Sequence, residues 1–184
     1  MNPVITAKDL KPFEGHYIKN FKCYRQQQDW SCGPASIRSI MNFYGYKVSE
    51  KELIHDGDVE EEGTSFEQIR AIAKIHNFTL RTRQHGSFNA IKKLLKKNIP
   101  VLVDYQSGSN TGQDGHYTVV VGLDLFYIWL ADSSNYVEGD LKSKFVPINR
   151  MRKTTFLEHW WDTDADLPTG KVIGWYGVLK PMEI

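Results

Sequence analysis

Cysteine is scarce: the 184 residues contain two, Cys23 and Cys32. They could form one bridge at most, too few for the small secreted scaffolds that depend on disulfides. No C-x-x-C occurs, and the six histidines are scattered, with no H-x-x-x-H pair near either thiol, so zinc is not expected. Long apolar runs are missing. "IPVLVDY" at 99–105 is among the longest, far short of the roughly 20 residues a membrane helix needs. Neither sign of charge is in excess. With 23 Lys and Arg against 22 Asp and Glu, the net charge is +1, and neither a nucleic-acid surface nor an acidic tail is implied. The opening "MNPVITAKDLKPFEG" lacks a basic stretch followed by an apolar core, so a cytoplasmic chain is expected. There is no 20–50-residue repeat and no Gly/Ser or Pro linker, so residues 1–184 read as one domain.

Hydrophobic periodicity organises what is present. After an irregular start with room for one short strand, residues 33–44 read as a helix. Ile37, Ile40, Met41 and Tyr44 recur on one face, and Gly45 is a stop. Two capping boxes are expected, Ser49 with Glu52 and Thr64 with Glu67, each opening a helix. "SFNAIKKLLKKN" is a further amphipathic helix. Then the texture turns to β-rich runs. A hairpin is expected from 116–123 and 127–132 across "GLDLF", and "KFVPI" suggests a short strand. "KTTFLEHWWD" reads as a helix and "KVIGWYGVLKP" as one final strand. Helices first and antiparallel strands afterwards indicate an α+β fold.

The stretch "RQQQDWSCGPASI" raises the functional question. A thiol attacks as thiolate, and a free cysteine has a pKa of about 8.5. The positive end of a helix and a nearby imidazolium both favour the thiolate. Cys32 stands at a helix start, Pro34 suits the first turn, and Gly33 would let a substrate backbone approach. Acyl transfer through a thiolate builds an oxyanion, which an upstream glutamine amide and the Cys32 N–H could receive. A base is also needed. His116 begins one hairpin strand and Asp132 ends the next, so the two are expected to be neighbours, with Asp132 fixing the imidazole and His116 facing Cys32.

These residues, "Q-x-x-D-x-x-C-G-P-A" followed by "G-H-Y-x-V-V-x-G" and an aspartate closing the next strand, resemble the bacteriocin-processing cysteine peptidases. That family has a papain-like fold and cuts leader peptides after a double glycine, either fused to ABC exporters or as stand-alone domains. The resemblance covers 23–133 and implies a stand-alone papain-like domain in which a helical N-terminal part packs on a C-terminal antiparallel sheet. Carried over, the nucleophile is Cys32, the base His116, the orienting acid Asp132 and the oxyanion donor Gln26. Gln27 and Gln28 remain alternatives because the run leaves the register open. The implied activity is thiol-dependent hydrolysis of a peptide or other amide, with no cofactor. An acyl transferase on the same site and a silent peptide-binding module are the other readings.

Several residues are set aside. His159 in "EHWWD" sits among aromatics that read as core, and His85 reads as a loop histidine beside a basic strand end. Trp30 and Tyr117 are split between groove and core. The acidic loop of Asp56, Asp58 and Glu60–Glu62 reads as solvated, its spacing unlike an EF-hand. "QSGSNTGQD" before His116 reads as a polar turn, and Cys23 as a second thiol able to pair with Cys32.

Overall fold

The computed structural model describes residues 15–108, 110, 112, 114–135, 143–163 and 169–183. In chain order the elements are β1 (His16–Tyr17), β2 (Cys23–Tyr24), α1 (Cys32–Phe43), α2 (Glu50–Asp56), α3 (Phe66–Ile75), β3 (Phe78–Arg83), α4 (Phe88–Leu95), β4 (Val101–Gln106), β5 (Gly115–Leu123), β6 (Tyr127–Ala131), β7 (Phe145–Val146), β8 (Asn149–Arg152), α5 (Lys153–His159), β9 (Trp161–Thr163), β10 (Lys171–Ile173) and β11 (Tyr176–Pro181). The fold is α+β.

The main sheet runs β3-β11-β4-β5-β6-β8, with β1 added to the far end of β5, and its pairings are antiparallel. Its central strands β4 and β5 are almost wholly buried, which explains why "IPVLVDY" and "HYTVVVGLD" read as continuous apolar runs rather than alternating ones. α1 lies against β5, burying Ile37, Ile40 and Met41 completely. The β5–β6 hairpin turns on Asp124, whose Oδ1 accepts from the Phe126 and Tyr127 amides at 2.8 and 2.7 Å. A bulge between Val120 and Gly122 adjusts the register. Among the described residues, no helix is long and apolar enough to cross a membrane.

Several local expectations change. The division into a helical half and a sheet half is incomplete, because β3 leaves the helical part and pairs along the whole length of β11 at the sheet edge. The final run divides in two at Gly174, whose φ of +62° breaks the extended chain. A Cβ there would also meet the Gly86 nitrogen at 2.7 Å. The helix in "KTTFLEHWWD" stops at His159, and Trp161 begins β9. The second capping box shifts by one residue to Ser65 and Gln68, where both reciprocal bonds form. The first is half made: Ser49 accepts from the Glu52 amide, but no return bond from the Glu52 side chain completes the box.

Candidate active site

Cys32 is the first residue of α1, and Ser31 before it is the cap by position only. Its hydroxyl makes no cap bond. Instead it donates to Glu50 Oε1 at 2.6 Å and accepts from the Gln28 amide at 3.0 Å. The first-turn N–H groups therefore stay open beside the sulfur, the positive end of the helix. Gly33 is needed for a reason other than substrate approach: a Cβ there would meet Thr64 Oγ1 at 2.6 Å, so the space belongs to Thr64.

The hairpin register carries Asp132 past Ala131 to the start of β5, where His116 stands. His116 Nε2 lies 2.8 Å from Asp132 Oδ1, and both side chains are buried. Nε2 is engaged by Asp132, and the Cys32 sulfur lies near enough to act on the charge of the imidazole. Burial opposes the charged imidazole, but bonding to Asp132 and to the Cys32 sulfur outweighs this and pushes its pKa up to about 10. Asp132 is held below its ordinary value despite burial, through the His116 bond and charge and through Ser134. Its Oδ1 accepts from the Ser134 amide at 3.0 Å and hydroxyl at 2.8 Å, and its Oδ2 from the Tyr105 hydroxyl at 3.4 Å. Cys32, His116 and Asp132 thus meet at the junction of a helix start and a hairpin end.

The three glutamines separate by burial. Gln27 and Gln28 are exposed, whereas Gln26 is buried at 6% exposure. Gln26 Oε1 accepts from the Ser133 hydroxyl at 2.9 Å, and its amide nitrogen donates to the Gln28 and Asp29 carbonyls, each at 3.0 Å. Its backbone N–H also donates to the Ser133 carbonyl at 3.2 Å. Gln26 therefore ties the loop before Cys32 to the residue after Asp132.

Two features escaped the sequence. Glu50 on α2 is fully buried, and its Oε1 accepts from the Gln27 amide at 2.7 Å as well as from Ser31. Burial pushes its carboxyl up, against those hydrogen bonds and Arg38. Glu50→Ala leaves two donors in the loop before Cys32 unmatched. It is expected to cost about 2–4 kcal/mol by urea denaturation, with Glu50→Gln costing less because one acceptor oxygen is kept. The second feature is Asp104 on β4, buried against Asp162 of β9. Burial first, then the Asp162 carboxylate, push Asp104 well above the usual carboxylate range, as two carboxylates in contact cannot both ionise. Asp162 is also held by Gln106, whose amide donates to Oδ1 at 2.7 Å.

The residues set aside fall elsewhere. His159 Nδ1 contacts the Gln106 carbonyl at 2.8 Å, and Trp160 is core, donating to the Trp175 carbonyl. Tyr117 packs on Phe66 and Trp175 in the core, and Trp30 is half-buried against it. His85 lies in the loop after β3 with φ of +52°. Cys23 and Cys32 are both free thiols, and burial drives Cys23 far up from its ordinary value. In the polar turn before His116, residues 109, 111 and 113 lie outside the described residues.

Residues 18–164 match the Peptidase_C39 like family. The chain belongs to that family. It is 31% identical over 124 residues to an uncharacterized protein of Methanothermobacter marburgensis, covering 67% of this chain and 77% of that one. Its fold is similar to the peptidase domain of Streptococcus ComA, a bifunctional ABC transporter of a quorum-sensing pathway. The TM-score is 0.64 at 23% identity, over 88% of this chain and 99% of that one. It is also similar to a C39-like peptidase structure from Bacillus anthracis, with TM-score 0.64 at 13% identity, over 92% of this chain and all of that one. The fold is therefore that of C39 cysteine peptidases, papain-like in kind.

Proposed function

We propose that this C39-like protein is a thiol-dependent hydrolase of peptide or other amide bonds. The observation that carries the reading is His116 held between Asp132 at 2.8 Å and the Cys32 sulfur at an uncapped helix start. Cys32 attacks the acyl carbon, and the paired imidazolium gives its proton to the leaving amine. His116 then takes a proton from the water that releases the acyl group from sulfur, while Asp132 keeps the imidazole oriented. The Cys32 N–H is the first oxyanion donor. Gln26 is the second: a charged oxygen competes well with the neutral Asp29 carbonyl for one of its amide protons. Transfer to an amine in place of water uses the same residues and is the alternative outcome.

The test is alkylation by iodoacetamide at pH 6, read by peptide mass mapping. Cys23, buried and with its thiol driven upward, is the internal control. Fast labelling confined to Cys32, and lost in His116→Ala, is the expected result. Labelling of Cys32 at the rate of an ordinary free thiol would leave a peptide-binding module as the better account.

A further inference from the structure

The half-made capping box at the start of α2 points to a second site, remote from the thiol. Glu52 and Asp56 stand four residues apart on one face of α2. Their carboxylates and a nitrogen of His76, the C-cap of α3, all lie within 4.8 Å of one another. Two like charges at this spacing repel and call for a cation. His76 is buried at 5% exposure, and its Nε2 comes within 2.9 Å of Asp56 Oδ2 without forming a hydrogen bond. The other ring nitrogen, Nδ1, contacts the Tyr46 hydroxyl at 3.3 Å, the kind of outer contact that orients a ligating imidazole.

We infer that Glu52, Asp56 and His76 form a binding site for one divalent transition-metal ion of the zinc type. Imidazole with two carboxylates suits such an ion better than magnesium or calcium, which prefer oxygen alone. Zinc sits about 2.0–2.2 Å from nitrogen and oxygen donors. Two donors around it therefore stand roughly 3–3.5 Å apart, so the His76–Asp56 pair, at 2.9 Å, has to open by only a few tenths of an ångström to admit the ion. Glu52 is exposed and free to turn, and it closes the remaining distance. Three protein donors leave a fourth position for water. The acidic loop of the sequence thus contributes only Asp56, and the other two donors come from one turn earlier and from the end of the next helix. An ion here would pin α2 to α3, and α2 is the helix whose Glu50 holds the loop before Cys32.

The experiment is a Zn²⁺ titration by calorimetry of the chelator-stripped chain, beside Glu52→Gln, Asp56→Asn and His76→Gln, with far-UV circular dichroism checking each fold. One Zn²⁺ per chain at micromolar or tighter affinity is expected, weakened at least tenfold in Glu52→Gln and Asp56→Asn. These two lie on the partly exposed side of the site, so they keep the test decisive should His76→Gln misfold. A Co²⁺ titration followed by absorbance separates this site from the thiols, because thiolate ligation gives an intense charge-transfer band and nitrogen–oxygen ligation does not. Binding without that band supports the site. No binding to the wild type, equal binding by the carboxylate variants, or a thiolate band would each overturn it.

Discussion

His116→Ala is expected to lower peptide turnover by about 10⁴-fold or more while the protein stays folded. The size follows from triads acting as a unit, in which one missing member removes most of the chemistry. The fold survives because Asp132 keeps three donors, the Ser134 amide and hydroxyl and the Tyr105 hydroxyl, after the imidazole is gone. Asp132→Asn should fall far less, by about 10²-fold or under, since the imidazole and sulfur remain in contact. Stability carries a pH signature as well. His116 is raised from 6.5 to about 10, so its contribution is complete below 6.5 and is lost as pH rises through 10. Asp132 is lowered from 3.8, so its contribution is present above that value and is lost as pH falls through its folded value. The gap in unfolding free energy between wild type and His116→Ala should therefore be widest between about pH 4 and 6.5 and narrow toward pH 10. Urea melts across that range check it. A folded His116→Ala enzyme with normal turnover would remove His116 from the mechanism.

What the sequence made legible was local. Cys32 was readable because a helix start leaves a signature in Pro34 and the Ile37, Ile40, Met41 stripe. His116 and Asp132 were readable as neighbours because a tight hairpin, closed by Asp124, converts a 16-residue separation into contact. Burial was harder. Glu50 looked like an ordinary first-turn acid of an amphipathic helix, and nothing nearby announces that it sits beneath Ser31, 19 residues away. Asp104 interrupts an apolar run, but one acid in a buried strand does not say what it faces. Its partner Asp162 arrives only through β9, a strand hidden in a run that read as helix. β3 was read only at its basic end, beside His85, for a related reason. Half-exposed at a sheet edge, "FTLRTR" carries alternating charge and little apolar signal. Likewise, Gly33 looked like an opening for substrate until Thr64 was seen to fill it.

Gln26→Ala carries the other large expected effect, and its readout separates two duties. Loss of one oxyanion donor costs about 10²–10³ in kcat with little change in ground-state binding. Alkylation of Cys32 builds no oxyanion, so a donor-only role leaves the alkylation rate intact. Gln26, however, also spans the Ser133 hydroxyl and the carbonyls of Gln28 and Asp29. Removing it leaves those loop carbonyls without their amide partner, just before Cys32. The expectation is therefore a kcat loss of about 10²–10³ together with a smaller, few-fold loss in alkylation rate and a stability cost of about 1–3 kcal/mol. Gln27→Ala and Gln28→Ala remove exposed side chains and should stay within a few-fold of wild type in all three measurements. Alkylation slowed as much as turnover would make Gln26 a positioning residue and leave the Cys32 N–H as the donor. Gln26→Ala with kcat intact, beside a large drop at Gln28, would move the donor two residues along the run.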